Sequence, residues 1–135
     1  MLNSLMTRRS AAVWVFSLLT PLCQGQSLAF TQAQADAGKA LYKETCQLCH
    51  GSTMVNGQFG TPLRGSFFQE KWQGKSVGEL LTFVYEKMPP DRLMSLTPGQ
   101  YTGAVAYILS RNDIAVSAAA MSTDKETLTS VMLPW

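Results

Sequence analysis

The chain has 135 residues, of which 46% are hydrophobic and 15% are charged, a composition that indicates one globular domain and excludes a disordered or strongly polar chain. The formal charge of +2 includes Arg8 and Arg9, which lie in a segment that we expect to be removed, and nine basic and nine acidic residues then remain. Because the mature chain has no basic excess, nucleic acid is not an expected partner.

The N-terminus has the order of regions found in a secretory signal peptide. Arg8 and Arg9 precede an apolar run over residues 11–22, and small and polar residues follow this run. The run is shorter than the about 20 apolar residues that a membrane-spanning helix needs. We therefore predict a signal peptide over residues 1–29, export to the periplasm, and a mature domain over residues 30–135 without a stable membrane span.

The predicted cleavage site lies before Phe30, where Ser27 and Ala29 place small residues at the −3 and −1 positions. Cleavage after Gly25 and retention as an uncleaved anchor are the alternatives. Either cleavage removes Cys23, so only two cysteines remain and no structural disulfide is expected in the mature protein.

The first helix is predicted from a capping box at residues 31–34 to about Cys46. Gly38 is the exception in its alanine-rich sequence, because glycine inside a helix costs about 1 kcal/mol relative to alanine. A functional interpretation is that Gly38 lets a later helix cross closely, with the small Gly103 opposite, and Tyr42 lies one turn further on the same face. An exposed, tolerated glycine is the alternative.

This helix leads into Cys46, Cys49 and His50, which have the C-x-x-C-H spacing that attaches a c-type haem. Cysteines three positions apart lie on one face of a helical turn, where both thiols can form thioethers with the haem vinyl groups and the next imidazole can ligate the iron. The alternatives are a redox dithiol, a structural disulfide or half of a zinc site. A thioredoxin-like dithiol requires a βαβ context, and a zinc site requires a fourth ligand that the mature chain lacks.

The stretch after His50 is rich in glycine and turn residues and predicts a loop around the proximal side of the haem. One carbonyl of this loop is expected to accept the ring N–H of His50, and Pro62 is the candidate, with a rigid turn proline as the alternative. Trp72 follows the apolar residues Phe67 and Phe68. We predict that Trp72 lies in the core, with an indole N–H that can reach a haem propionate.

Two further capping boxes predict two more helices. The box at residues 76–79 opens a helix that ends at Met88, because two prolines follow this methionine. The box at residues 97–100 has proline at the first helical position and opens a helix that ends near Asn112. In the tail, residues 123–126 indicate the start of one last short helix that runs through Leu128, Val131 and Met132. No repeat or strand-like alternation occurs.

The second axial ligand of the iron is expected to be a methionine, because His50 is the only histidine. Five methionines follow the signal peptide: Met54, Met88, Met94, Met121 and Met132. Met54 is too close to His50 to reach the other face of the haem, and the last two methionines lie in the tail. Met88 is the predicted ligand because a helix breaks there into a proline-stiffened loop. Met94 and an open or water-bound iron are the alternatives.

Residues 31–112 resemble class I c-type cytochromes, in particular the small haem domains associated with quinoprotein alcohol dehydrogenases. The resembling stretches are Ala37-Gly38-Lys39-Ala40-Leu41-Tyr42, Cys46 to Gly51, Thr61-Pro62-Leu63-Arg64-Gly65, Phe68 with Trp72, Met88-Pro89 and Ala106-Tyr107-Ile108-Leu109. The resemblance implies His50 and Met88 as axial ligands and the Pro62 carbonyl as acceptor for the histidine. It also implies that a glycine of the first helix packs on an aromatic ring of the last, here Gly38 on Tyr107. The chain departs from that subgroup at Leu93 and Met94, where the subgroup has Pro-Gly.

The sequence therefore predicts an all-α cytochrome c fold, with three main helices and loops around one haem c that is covalently bound through Cys46 and Cys49. Its expected function is to carry single electrons in the periplasm on an iron ligated by His50 and Met88, without enzymatic activity of its own. The expected partners are redox proteins, among them a quinoprotein dehydrogenase and a terminal oxidase. The alternatives are a haem subunit permanently bound to a quinoprotein dehydrogenase and an open-site haem sensor or enzyme.

Overall fold

The computed structural model describes residues 27–135, so all but the last three residues of the predicted signal peptide lie outside the described part. The helical elements, in chain order, are α1 (Gln32–Leu41), a π-helical turn (Tyr42–Cys46), α2 (Gln47–His50), α3 (Ser66–Trp72), α4 (Val77–Lys87), α5 (Pro98–Ser110) and a 3-10 turn (Glu126–Leu128). No strand occurs among these residues, which confirms the predicted all-α class. None of the helices in this range has the length and apolarity needed to cross a bilayer.

The three predicted main helices begin where their capping boxes predict. In each box the side chain of the first residue accepts a hydrogen bond from the backbone of the fourth, whose own side chain bonds back to the first. These reciprocal bonds join Thr31 to Gln34, Ser76 to Glu79 and Thr97 to Gln100. They satisfy backbone N–H groups that have no partner within the first helical turn. Local sequence is therefore sufficient to fix these three starting points.

Helices α1 and α5 form the main packing interface through two glycines. A Cβ atom added at Gly38 would lie 1.8 Å from the carbonyl oxygen of Gly103 and 2.9 Å from the Cβ of Tyr107, so the two backbones are in direct contact. The ring of Tyr42, which follows α1, meets the ring of Tyr107 edge-on at 5.5 Å between centroids. The predicted close crossing at Gly38 and Gly103 and the predicted packing against Tyr107 are both confirmed.

Helix α3 was not predicted, because its aromatic residues were expected to lie in the core but were not assigned to a helix. Gly65 precedes it with a φ of +80°, and no side chain caps its first turn. Phe68 and Trp72 lie four positions apart on its buried face, whereas Phe67 points away and is half exposed. The ring of Trp135 meets that of Phe68 edge-on at 5.8 Å. Helix α3 thus depends on packing against distant residues.

The C-terminal tail, residues 113–135, wraps the other helices instead of forming a helix of its own. Only one 3-10 turn forms, and after it the chain pairs with the segment before α4. The Val131 carbonyl accepts a bond from Val77 at 2.8 Å, and the Leu133 amide donates to Lys75 at 2.9 Å. Met132 between them is half exposed. The predicted helix through residues 128–132 is therefore wrong beyond its first turn, because these backbone groups bond to another part of the chain.

Candidate haem site

The C-x-x-C-H motif occupies a tight helical segment after α1. The π-helical turn ends at Cys46, and the four residues of α2 follow it. Both Cys46 and Cys49 are half-buried free thiols, whereas Leu48 between them is 85% exposed. His50 is only 8% exposed. The motif therefore presents two thiols and a buried imidazole from one segment of the chain.

The buried imidazole of His50 is oriented by a backbone carbonyl. Its Nδ1 atom lies 2.8 Å from the carbonyl oxygen of Thr61. A carbonyl can only accept, so in the neutral ring Nδ1 carries the proton and Nε2 keeps its lone pair for a metal. The prediction that the Pro62 carbonyl is the acceptor is wrong by one residue. The acceptor belongs to the peptide group that precedes Pro62, whose orientation is restricted by the proline ring attached to it.

Glycines let the following loop lie directly against the motif. A Cβ atom at Gly60 would lie 2.5 Å from Nδ1 of His50, and a Cβ atom at Gly57 would lie 2.2 Å from the Cys49 carbonyl oxygen. That same carbonyl accepts the Gly60 amide at 2.9 Å. The glycine-rich composition predicted a loop here, but it did not show that Gly57 and Gly60 themselves form the wall around His50. The contacts of Gly57 and Gly60 with the motif depend on the course of the loop backbone, which composition does not determine.

The predicted axial methionine lies on a separate segment at the end of α4. Met88 is half buried, and its extended backbone ends the helix as its two following prolines predict. Its amide donates to the Val84 carbonyl at 3.0 Å, and its carbonyl accepts a hydrogen bond from the Tyr101 hydroxyl at 3.2 Å. Met94 is 56% exposed and has a φ of +57°. The contact between Tyr101 and Met88 was not predicted, because the two residues are 13 positions apart and lie on different helices.

Trp72 lies in an aromatic cluster of the core. It is 6% exposed, and its ring lies 6.2 Å from that of Phe68 and 5.5 Å from that of Phe83. The predicted core position is confirmed. The suggested contact of its indole N–H with a haem propionate stays a prediction.

The surroundings of Cys46 differ from those of a redox dithiol, and the described residues do not supply a zinc ligand set. Burial, with a smaller contribution from Cys49, raises the pKa of the Cys46 thiol to about 11, whereas the nucleophilic thiol of a reactive dithiol has a lowered pKa. Over residues 27–135, no group of three or more metal-binding side chains occurs.

The residues of the site fit a haem. The side chains that carry the attachment chemistry lie together, and within residues 27–135 the Nε2 atom of His50 has no hydrogen-bond partner. Five large apolar side chains in the two segments around His50 and Met88 are more than half exposed: Leu48, Val55, Phe59, Leu93 and Met94.

One comparison with known proteins identifies the family. A family model described as cytochrome c oxidase, cbb3-type, subunit III matches residues 33–108, which is more than half of the chain. The matched stretch runs from α1 into α5 and includes the motif, the Thr61–Pro62 loop and Met88. No curated protein and no solved structure matches the chain. The chain therefore belongs to this family of c-type cytochrome domains, so its cofactor is haem c and its activity is electron transfer.

Proposed function

We propose that this protein is an exported single-electron carrier with one haem c, attached by thioethers to Cys46 and Cys49 and ligated by His50 and Met88. The observation that supports this proposal best is the hydrogen bond from His50 Nδ1 to the Thr61 carbonyl. It orients a buried imidazole, with Nε2 available, beside two unpaired thiols. When bound, the haem supplies an iron that accepts and releases one electron.

The chain's own residues hold the iron in a fixed environment. The Thr61 carbonyl, which accepts a hydrogen bond from the Nδ1–H group of His50, increases the basicity of the ring and restricts its rotation. Gly57 and Gly60 bring the loop backbone against the motif, which leaves little room for water at the histidine side. Rigid ligands and exclusion of water tune the reduction potential, which histidine–methionine ligation places relatively high.

Met88 is a better candidate for the second ligand than Met94. The Met88 backbone is bonded at both its amide and its carbonyl, so the direction of the side chain is restricted. Met94 has an exposed side chain in the loop that follows. An exposed thioether loses side-chain entropy when it is fixed on a metal, whereas a half-buried one has already lost part of this freedom.

The proposed location is the periplasm, reached through the predicted signal peptide over residues 1–29. The family description names a subunit of a cytochrome c oxidase, which supports an oxidase as the electron acceptor. A quinoprotein dehydrogenase is the proposed donor, or a permanent partner in the alternative of a bound haem subunit. Stable co-purification with such a dehydrogenase supports the subunit alternative, whereas a monodisperse monomer supports the free carrier.

The charges around Met88 do not indicate a particular class of redox partner. Lys87 and Arg92 flank Met88, but the Arg92 guanidinium lies 3.4 Å from the carboxylate of Asp91, and both side chains are exposed. This pair cancels one of the two positive charges near the methionine. Electrostatic steering by a local basic patch is therefore expected to be weak.

The test is an absorption spectrum of the protein after export from a host that attaches haem c. The chain is denatured first, and haem that stays with it establishes covalent attachment. In the native oxidised protein we expect the weak long-wavelength charge-transfer band of a methionine–iron(III) bond, lost in Met88→Ala and retained in the matched variant Met94→Ala. A spectrum without this band, together with carbon monoxide binding to the native reduced protein, supports the open-site sensor or enzyme. Absence of covalent haem refutes the proposal.

A further inference from the structure

The segment that carries Met88 is joined to α5 by a side-chain hydrogen bond. The Tyr101 hydroxyl donates a hydrogen bond to the Met88 carbonyl at 3.2 Å, although the two residues are 13 positions apart. Tyr101 is 1% exposed, so water does not compete freely for its hydroxyl group. This bond connects the end of α4 with the first turn of α5.

The bond supplies a donor to the Met88 carbonyl, which α4 itself does not provide. The last carbonyls of a helix have no partner within the helix, and Met88 is the residue at which α4 ends. Its amide is still held by the Val84 carbonyl, and the next residue is a proline without an N–H group. The Tyr101 hydroxyl therefore fixes the second side of the Met88 backbone.

The ring of Tyr101 is itself held in place before any ligand binds. Tyr85 meets it edge-on with 5.1 Å between centroids. The ammonium group of Lys125, from the C-terminal tail, lies 4.3 Å from the centroid of the Tyr85 ring. The Tyr101 amide also donates to the Thr97 carbonyl in the first turn of α5, at 3.1 Å. The Tyr101 hydroxyl is thus preorganised, so little entropy is lost when it bonds to Met88.

We infer that Tyr101 is a positioning residue for the axial methionine. Its hydroxyl holds the Met88 backbone so that the thioether is presented to the iron and competes well against other ligands. This inference rests on the proposed function, because it takes Met88 as the ligand. Burial explains why an aromatic ring stands at Tyr101, whereas the positioning role explains why this ring carries a hydroxyl group.

The experiment compares Tyr101→Phe with Tyr85→Phe in the haem-loaded protein. Both changes remove one hydroxyl group from the same aromatic pair and keep both rings, but only the first removes the bond to Met88. Imidazole is titrated into the oxidised protein, and loss of the methionine–iron(III) band reports displacement of the methionine. A net hydrogen bond of about 1 kcal/mol corresponds to about fivefold, so the imidazole midpoint is expected to fall about fivefold in Tyr101→Phe. In Tyr85→Phe it is expected to stay within about twofold of the wild type.

Urea unfolding of the same variants separates positioning from general stability. A fall of the imidazole midpoint in Tyr101→Phe alone supports the inference when the urea curves show that both variants are fully folded under the conditions of the imidazole titration. An unchanged imidazole midpoint, or equal falls in both variants, overturns it while Met88 remains the ligand. If Met88→Ala keeps the band, the proposed ligation fails, and the positioning role fails with it. The Met88→Ala result therefore distinguishes the two failures.

Discussion

Replacement of Gly38 by alanine tests whether the close crossing of α1 and α5 is a main source of stability. The added Cβ atom would lie 1.8 Å from the Gly103 carbonyl oxygen, whereas ordinary contacts of Cβ atoms lie at 3.4–4 Å. The blocking atom belongs to the backbone, so it cannot move aside by a change of rotamer. The helices must therefore separate by more than an ångström at their point of closest approach.

Two opposing effects set the size of the change. Alanine at Gly38 is favourable for helix formation by about 1 kcal/mol. Overpacking of a well-packed core typically costs about 1–3 kcal/mol and more where the backbone has to shift. Separation of the helices also loosens the packing of Tyr42 on Tyr107, which lies beside the crossing. Because the clash is with backbone, the cost is expected at the upper end of this range or above it, so the free energy of unfolding should decrease by about 2 kcal/mol or more in Gly38→Ala, a large part of the stability of a small domain.

The measurement is urea unfolding of the haem-loaded protein followed by circular dichroism. Gly99→Ala is the matched control, because Gly99 lies in the first turn of α5 and has no atom within 4 Å of an added Cβ. That variant is expected to be neutral or more stable, by up to about 1 kcal/mol, since alanine restricts the unfolded chain. A Gly38→Ala variant with wild-type or higher stability refutes the assignment of the crossing as a tight backbone contact.

Two further predictions concern Tyr42 and Gly60, which lie on either side of the C-x-x-C-H motif in the chain. Burial is the main cause that raises the pKa of Tyr42 from 10.0 to about 12. The unfolded chain therefore loses this proton first, so the contribution of Tyr42 to stability is complete below pH 10 and is lost as the pH rises toward 12. Tyr42→Phe is expected to show a smaller fall of the urea midpoint over that range than the wild type, and equal falls contradict the assignment. In Gly60→Ala the new methyl group displaces the His50 ring, so we expect about 1–3 kcal/mol of lost stability and an altered reduction potential. A wild-type potential in that variant contradicts the proposed contact.

Sequence predicted the main helices well because their signals are local. Each capping box needs only residues three positions apart, and the end of α4 needs only the two prolines that follow Met88. The glycine in α1 was informative for the opposite reason, because it contradicts the alanine-rich pattern around it. A residue that costs stability locally indicates a compensating contact elsewhere, and the structure places the Gly103 backbone there.

The elements that sequence missed depend on distant partners. Helix α3 has no capping side chain, and its buried face is completed by Trp135 from the end of the tail. The tail is also held by Gln34, whose side chain exchanges two hydrogen bonds of 2.9 Å with the Met121 backbone across 87 positions. The same Gln34 oxygen accepts the Thr31 amide in the capping box. A local pattern predicted that bond, but it contained no information about Met121.

The candidate site shows the same division between local and distant determinants. His50 and the thiols lie in one segment, and the carbonyl that orients the imidazole is only 11 positions away, so sequence located it within one residue. The Met88 side depends on Tyr101, which reaches the methionine only after α4 and α5 have packed. On the proposed ligation, the histidine side of the iron is built by one loop, whereas the methionine side requires the tertiary fold. Perturbations that loosen α4 against α5 are therefore expected to release the methionine first and to leave the histidine bound.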